Sequence, residues 1–166
     1  MLCVIAKLDN ASTDRLASLQ KATCSGMGEK PVYGHITVAS YTGEDEAGFI
    51  QSCKEILKGF PAFHIAYERI EVLEKTSIIA AIPNKSETLY SLHNAIAEKH
   101  KGVLDKWTGT DSWYPHTTLV YYPHSHLLRI FIKLTELFRP FTATVSRIEF
   151  SRVNDDGYEI IDHVNL

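Results

Sequence analysis

Apolar residues run along this chain in short blocks, and the spacing within the blocks alternates between two periods. Residues 2–8 (LCVIAKL) form an apolar run that predicts a strand buried on both faces. NASTD then offers several N-caps, and Leu16, Leu19 and Thr23 fall on one helical face. SGMGEKP at 25–31 reads as a loop, and GHITVASY at 34–41 as a strand. Glu44, Asp45 and Glu46 favour a helix start, Ile50, Cys53 and Leu57 give that helix its stripe, and Lys58-Gly59 ends it. FHIAYERIEV and SIIAAIP are extended in pattern. Leu89, Leu92 and Ile96 mark a third helix within 86–101. After a loop with Trp107, Gly109 and Trp113, PHTTLVYY at 115–122 is a strand. Leu127, Phe131, Leu134 and Phe138 predict a fourth helix, stopped by Arg139-Pro140. TATVSRIEF and YEIIDHV close the chain around an Asn-Asp-Asp-Gly turn.

The order is β-α-β-α-β followed by β-α-β-α-β-β, which looks like a duplication. HITV at 35–38 recurs as HTTL at 116–119, an offset of 81 (116 − 35), and RIEV at 69–72 recurs as RIEF at 147–150, an offset of 78 (147 − 69). One domain spanning 1–166 is expected, with lobe-level repeats of approximately 1–75 and 76–166 that exchange strands.

Composition narrows the function. Lys plus Arg is 17 against 20 Asp plus Glu, a formal charge of −3. Proteins that track long nucleic acid usually carry a positive excess, so that class is disfavoured. No apolar run approaches the roughly 18 residues that cross a bilayer, and the N-terminus lacks signal-peptide character. Three cysteines, at 3, 24 and 53 with no CxxC pair, argue against a disulfide framework or structural zinc and for a cytoplasmic location. Eight histidines are the unusual count.

In a strand, residues i and i+2 share a face. His35 and Thr37 therefore point one way, with Ile36 and Val38 opposite. His116 and Thr118 share a face, with Thr117, Leu119 and Tyr121 opposite. Two lobes related by a pseudo-twofold would bring both His/Thr faces to one cleft. Two imidazoles suit phosphoester chemistry, one taking a proton from the attacking oxygen and one giving a proton to the leaving oxygen. The hydroxyls of Thr37 and Thr118 can donate to the non-bridging phosphoryl oxygens. Without bulges, Tyr41 and Tyr122 would join that face. His64 also points away from its strand's apolar face. Tyr41, Tyr122 and His64 are the candidate substrate contacts.

These motifs resemble those of the two-histidine (2H) phosphoesterase superfamily, which includes LigT-like RNA 2′,5′-ligases and cyclic phosphodiesterases. His35-Ile36-Thr37-Val38 and His116-Thr117-Thr118-Leu119 both fit the H-x-[ST]-x pattern, and the element order covers nearly the whole chain. The resemblance implies an α+β fold of two mainly antiparallel sheets around a central cleft with helices outside. It implies metal-independent chemistry on 2′,3′-cyclic phosphate ends of nucleotides or short RNA, or on 2′,5′-linkages, with no cofactor. The catalytic pair would be His35 and His116, and the phosphate contacts Thr37 and Thr118. The first assignment makes His116 the base and His35 the acid, and pseudo-symmetry leaves the reverse open. The expected partner is a nucleotide or RNA terminus, with no membrane, and the expected state is a monomer.

Blander readings stand beside these. Either motif alone would read as a buried histidine before a strand-favouring threonine. A non-catalytic nucleotide-binding module of the same fold is the main alternative. His124 and His126, in PHSH, lack further ligands nearby for a metal site.

Overall fold

The computed structural model describes residues 1–24, 30–74, 76–121, 124–154 and 157–166, with the backbone alone at 124 and 125. The elements follow the predicted order: β1 (Leu2–Leu8), α1 (Asn10–Cys24), β2 (His35–Tyr41), α2 (Glu46–Leu57), β3 (Phe63–Val72), β4 (Ile78–Pro83), α3 (Glu87–Lys99), β5 (Thr117–Tyr121), α4 (His124–Leu137), β6 (Phe141–Asn154) and β7 (Gly157–Asn165). Side-chain caps set three helix starts. Asp9 accepts from the Ser12 amide at 2.9 Å, Asp45 from the Gly48 amide at 2.9 Å and Ser86 from the Leu89 amide at 3.4 Å. Each such cap is worth about 1 kcal/mol.

The α+β class holds, but the two expected sheets are one. The seven strands among the described residues form a single antiparallel sheet in the order β2-β1-β6-β3-β4-β5, with β7 also paired to β6. The join is made by β6, which has 14 residues. Its first part, Phe141–Val145, pairs with Phe63–Tyr67 of β3, and its later part pairs with β1 and β7. The order reads as a palindrome when β2 is matched to β5, β1 to β4 and β6 to β3. The third strand of each half therefore sits beside the other half's strands.

One apolar core runs under the whole sheet, from Leu2 and Val4 through Ile36 and Val38 to Ile65, Ile79, Leu92, Leu119 and Ile148. Full burial of each such side chain contributes about 1.5–3 kcal/mol. Packing also crosses the halves, since α1 lies against β5 and α4, and α3 against β2 and α2. Among the described residues no helix is long and apolar enough to cross a membrane.

Candidate active site

Both motif strands carry a β-bulge one residue after the motif threonine. In β2, Thr37 pairs with Ile5 and Ala39 with Val4, which leaves Val38 as the extra residue. In β5, Thr118 pairs with Ala80 and Val120 with Ile79, which leaves Leu119 extra. The two bulges obey the offset of 81 (119 − 38). A second matched pair lies at Glu68 in β3 and Ser146 in β6, an offset of 78 (146 − 68).

A bulge frees a carbonyl from the ladder, and a buried carbonyl without a donor is costly. Here each is met by a helix from the other half. His93 of α3 donates Nδ1–H to the Val38 carbonyl at 2.8 Å, and Gln20 of α1 donates to the Leu119 carbonyl at 2.7 Å. Trp113 stacks on His93, with ring centroids 3.9 Å apart, and donates Nε1–H to the Thr37 carbonyl at 2.8 Å. Gln20 and His93 are buried polar residues without an apolar-stripe signal, and pattern reading passes over them.

The bulges also correct two face assignments. Beyond Val38 the alternation flips, so Tyr41 turns into the core and stacks on Phe49 at 4.3 Å. It is not displayed beside His35. Beyond Leu119 the same flip buries Val120 and leaves Tyr121 exposed. Tyr122 lies outside the described residues. His64 is exposed at the β3–β6 join, where its Nδ1 lies 3.1 Å from Thr144 Oγ1, so its bond goes to a neighbour strand rather than to either motif.

The structure does bring the two motifs together. Thr117 Oγ1 donates to the His35 carbonyl at 2.9 Å and is itself 2.6 Å from the buried Tyr67 hydroxyl. In both strands the burial sequence is the same: His and Thr half-buried, with the residue between them and the bulged residue fully buried. Among the described residues, neither the Thr37 nor the Thr118 hydroxyl is bonded to protein.

The two imidazoles differ in their surroundings. His116 donates Nδ1–H to the Tyr114 carbonyl at 2.9 Å, which leaves Nε2 as the proton-accepting nitrogen of the neutral ring. Burial lowers its pKa below the ordinary 6.5, while the Tyr114 bond acts to raise it. His35 has no ring hydrogen bond among the described residues. Atoms crowd it on most sides, and burial, then the Lys7 cation, then His116 push its pKa down to about 4. Lys7 sits opposite His35 in the β1–β2 register. Its ammonium donates to the Tyr33 carbonyl, to the Gly34 carbonyl at 3.3 Å and to Thr13 Oγ1 at 3.2 Å. Burial lowers the Lys7 pKa too. Gly34, just before His35, has φ +65°, and a Cβ there would come within 2.2 Å of Thr13 Oγ1, so only glycine fits where the chain turns into β2.

Residues 8–157 match the 2′-5′ RNA ligase superfamily. The chain belongs to that superfamily. Solved structures share its fold. E. coli LigT complexed with 3′-AMP is 14% identical with a TM-score of 0.65, over 99% of this chain and 96% of that one. TT0787 of Thermus thermophilus is 16% identical with a TM-score of 0.70, over 99% and 97%. Usb1 of Kluyveromyces marxianus is 12% identical with a TM-score of 0.51, over 99% and 97%. No curated protein matches the sequence. Members of this superfamily are phosphoesterase- or ligase-like, and the 2H resemblance read from the motifs agrees with that. Among the described residues no group of three or more His, Cys, Asp or Glu is placed to hold a metal ion. A groove of about 280 Å³ between α1 and the end of α4, lined by Arg15, Leu19 and Phe138 among others, contains no motif residue.

Proposed function

We propose that the chain is a metal-independent phosphoesterase that opens 2′,3′-cyclic phosphates at the ends of nucleotides or short RNA. One observation carries the reading. Two His-x-Thr segments, far apart in sequence, are tied by the Thr117–His35 bond, and His116 is near enough to act on the His35 ring through its charge. E. coli LigT has been solved with 3′-AMP, ATP and NADP+, which supports a nucleotide as the ligand class here.

The surroundings favour the reverse of the first acid–base assignment. His35 lies beside the Lys7 cation and, among the described residues, its ring has no hydrogen-bond partner to stabilise a charge, so it is the base. His116 donates to the Tyr114 carbonyl, a bond that strengthens when the ring is charged, so it is the acid. Water then gives a proton to His35 as its oxygen bonds to phosphorus. One ribose oxygen leaves phosphorus and takes a proton from His116, and a phosphomonoester results. Thr37 and Thr118 donate to the non-bridging oxygens, where transition-state charge gathers. With a ribose 5′-hydroxyl in place of water, the same pair would serve 2′,5′-ligation: the base takes the 5′-hydroxyl proton, that oxygen bonds to phosphorus, and the 3′-oxygen leaves with the proton of the acid.

The chain reads as a duplication of 1–75 and 76–166 whose third strands have exchanged, supported by the two matched pairs of bulges. One copy carries both motifs, so a monomer suffices. The buried thiols of Cys3 and Cys53 fit a reducing compartment such as the cytoplasm.

The test is incubation with 2′,3′-cyclic mononucleotides and with short RNA ending in a cyclic phosphate, with excess chelator throughout. The expected result is phosphomonoester formation, with kcat/KM rising through the His35 pKa near 4 and falling again through that of His116, below 6.5. Tight nucleotide binding without turnover from pH 4 to pH 8 would instead identify a binding module.

A further inference from the structure

The RIE triplets that marked the repeat have no part in the chemistry above, yet each meets a tyrosine two residues ahead of a motif histidine. Tyr114 Oη donates to Glu71 Oε2 at 2.6 Å, and Arg69 Nε lies 2.6 Å from Glu71 Oε1. Tyr33 Oη donates to Glu149 Oε2 at 2.6 Å, and Arg147 Nε lies 3.1 Å from Glu149 Oε1. The second ion pair is close in distance but off the line of a hydrogen bond, since Arg147 Nε has no hydrogen-bond partner. The tyrosines are 81 apart (114 − 33), and the arginines and glutamates are 78 apart. Each arrangement joins a tyrosine from one half to an Arg–Glu pair from the other.

These are more than decorative surface pairs. The Glu149 side chain is 5% exposed, and a carboxylate so enclosed needs the donors it has. Each tyrosine also accepts a hydrogen bond from a basic neighbour at its own carbonyl. The Tyr114 carbonyl takes Nδ1–H of His116. The Tyr33 carbonyl takes Lys7, and its ring centroid lies 5.6 Å from that of His35. A tyrosine pinned at its hydroxyl has its carbonyl held in place as well.

We propose that Tyr114–Glu71–Arg69 and Tyr33–Glu149–Arg147 are paired positioning triads, each fixing the strand start that carries one reactive imidazole. The first triad sets the His116 tautomer through the Tyr114 carbonyl. The second sets the Lys7–His35 geometry. The role of the imidazoles rests on the phosphoesterase reading; the role of the triads in placing them does not. The groups that bear on His116 are Tyr114 with Glu71 and Arg69, and His35 with the Lys7 cation beyond it.

Glu71 is the place to test this, because its side chain is 37% exposed and its loss leaves the core intact. The full chain, with 15N-labelled histidine, is followed by NMR for the tautomer and pKa of His116, and kcat and KM are measured on a 2′,3′-cyclic nucleotide. Glu71→Ala and Tyr114→Phe should give a mixed His116 tautomer with a lower pKa. In Glu71→Ala, kcat should fall about 10-fold with KM within about 2-fold, as expected for a reacting group set slightly out of place. Glu71→Gln keeps an oxygen for the Tyr114 hydroxyl and should restore most of both. A wild-type His116 tautomer and pKa in Glu71→Ala would overturn the triad, whatever happens to the rate. If the unmodified chain turns over no cyclic phosphate, the phosphoesterase reading fails while the tautomer measurement still decides the triad.

Discussion

Lys7 stands opposite His35, and Ile82 takes the matching place in the half that carries His116. Around these two positions the halves agree closely. Both strands bulge after the threonine, both bulged carbonyls are met by the other half's helix, and both strand starts are pinned by a Tyr–Glu–Arg group. The two starts differ in charge and backbone. One has a lysine and a left-handed glycine before its histidine, and the other has an isoleucine and Pro115. Matching backbones start the two motif strands, and unmatched charge gives their imidazoles different surroundings. In the proposed reading, the two halves thus hold an acid and a base of the same residue type.

The largest expected effect separates the two histidines. His35→Ala and His116→Ala should each lose about 10² or more on a cyclic phosphate. On an aryl phosphodiester with a nitrophenolate leaving group, loss of the acid matters little. There His116→Ala should recover most of its rate, and His35→Ala should not. Recovery in His35→Ala instead would exchange the roles. Next come the hydroxyls. Thr37→Val and Thr118→Val should each lower kcat by about 10², and by similar amounts, because each removes one donor to the phosphoryl group. A loss confined to one of them would break the functional symmetry of the two halves.

Lys7→Ile would make the two halves alike. The Lys7 cation disfavours a charged His35, so removing it raises the His35 pKa. A base must be neutral, so the acid limb of kcat/KM should move to higher pH while the other limb stays. The smallest effects are on stability. Gln20→Leu and His93→Phe each leave a bulged carbonyl without its donor and should cost about 1–3 kcal/mol in chemical denaturation. His93 adds a pH dependence. Burial holds its folded pKa below the unfolded 6.5, so its share of stability is present above that pH and is lost as pH falls below it. In His93→Phe that part of the acid loss should disappear.

The elements were legible because their apolar periods are clean, and the histidine pair because two identical patterns fell at one repeat offset. The bulges were not. They depend on how β2 and β5 register against β1 and β4, which strand alternation alone does not reveal. That single local feature explains why Tyr41 packs on Phe49, why Tyr121 faces solvent and why His93 and Gln20 are buried. The single sheet was hidden for a related reason. Only the pairing of β3 with the first part of β6 shows that the halves share a ladder. The RIE triplets were visible as a repeat, but their tyrosine partners lie 43 and 116 residues away, so their role was not.

In the proposed phosphoesterase reaction, His35 and His116 act as one unit. The decisive experiment is the turnover of a 2′,3′-cyclic nucleotide by the unmodified chain, His35→Ala, His116→Ala and the double variant, in excess chelator. Each single change should cost about 10² or more, and the double variant should be little slower than the slower single one, since half of such a pair does little alone. Single variants that keep the full rate, or losses that multiply in the double variant as for independent sites, would contradict it.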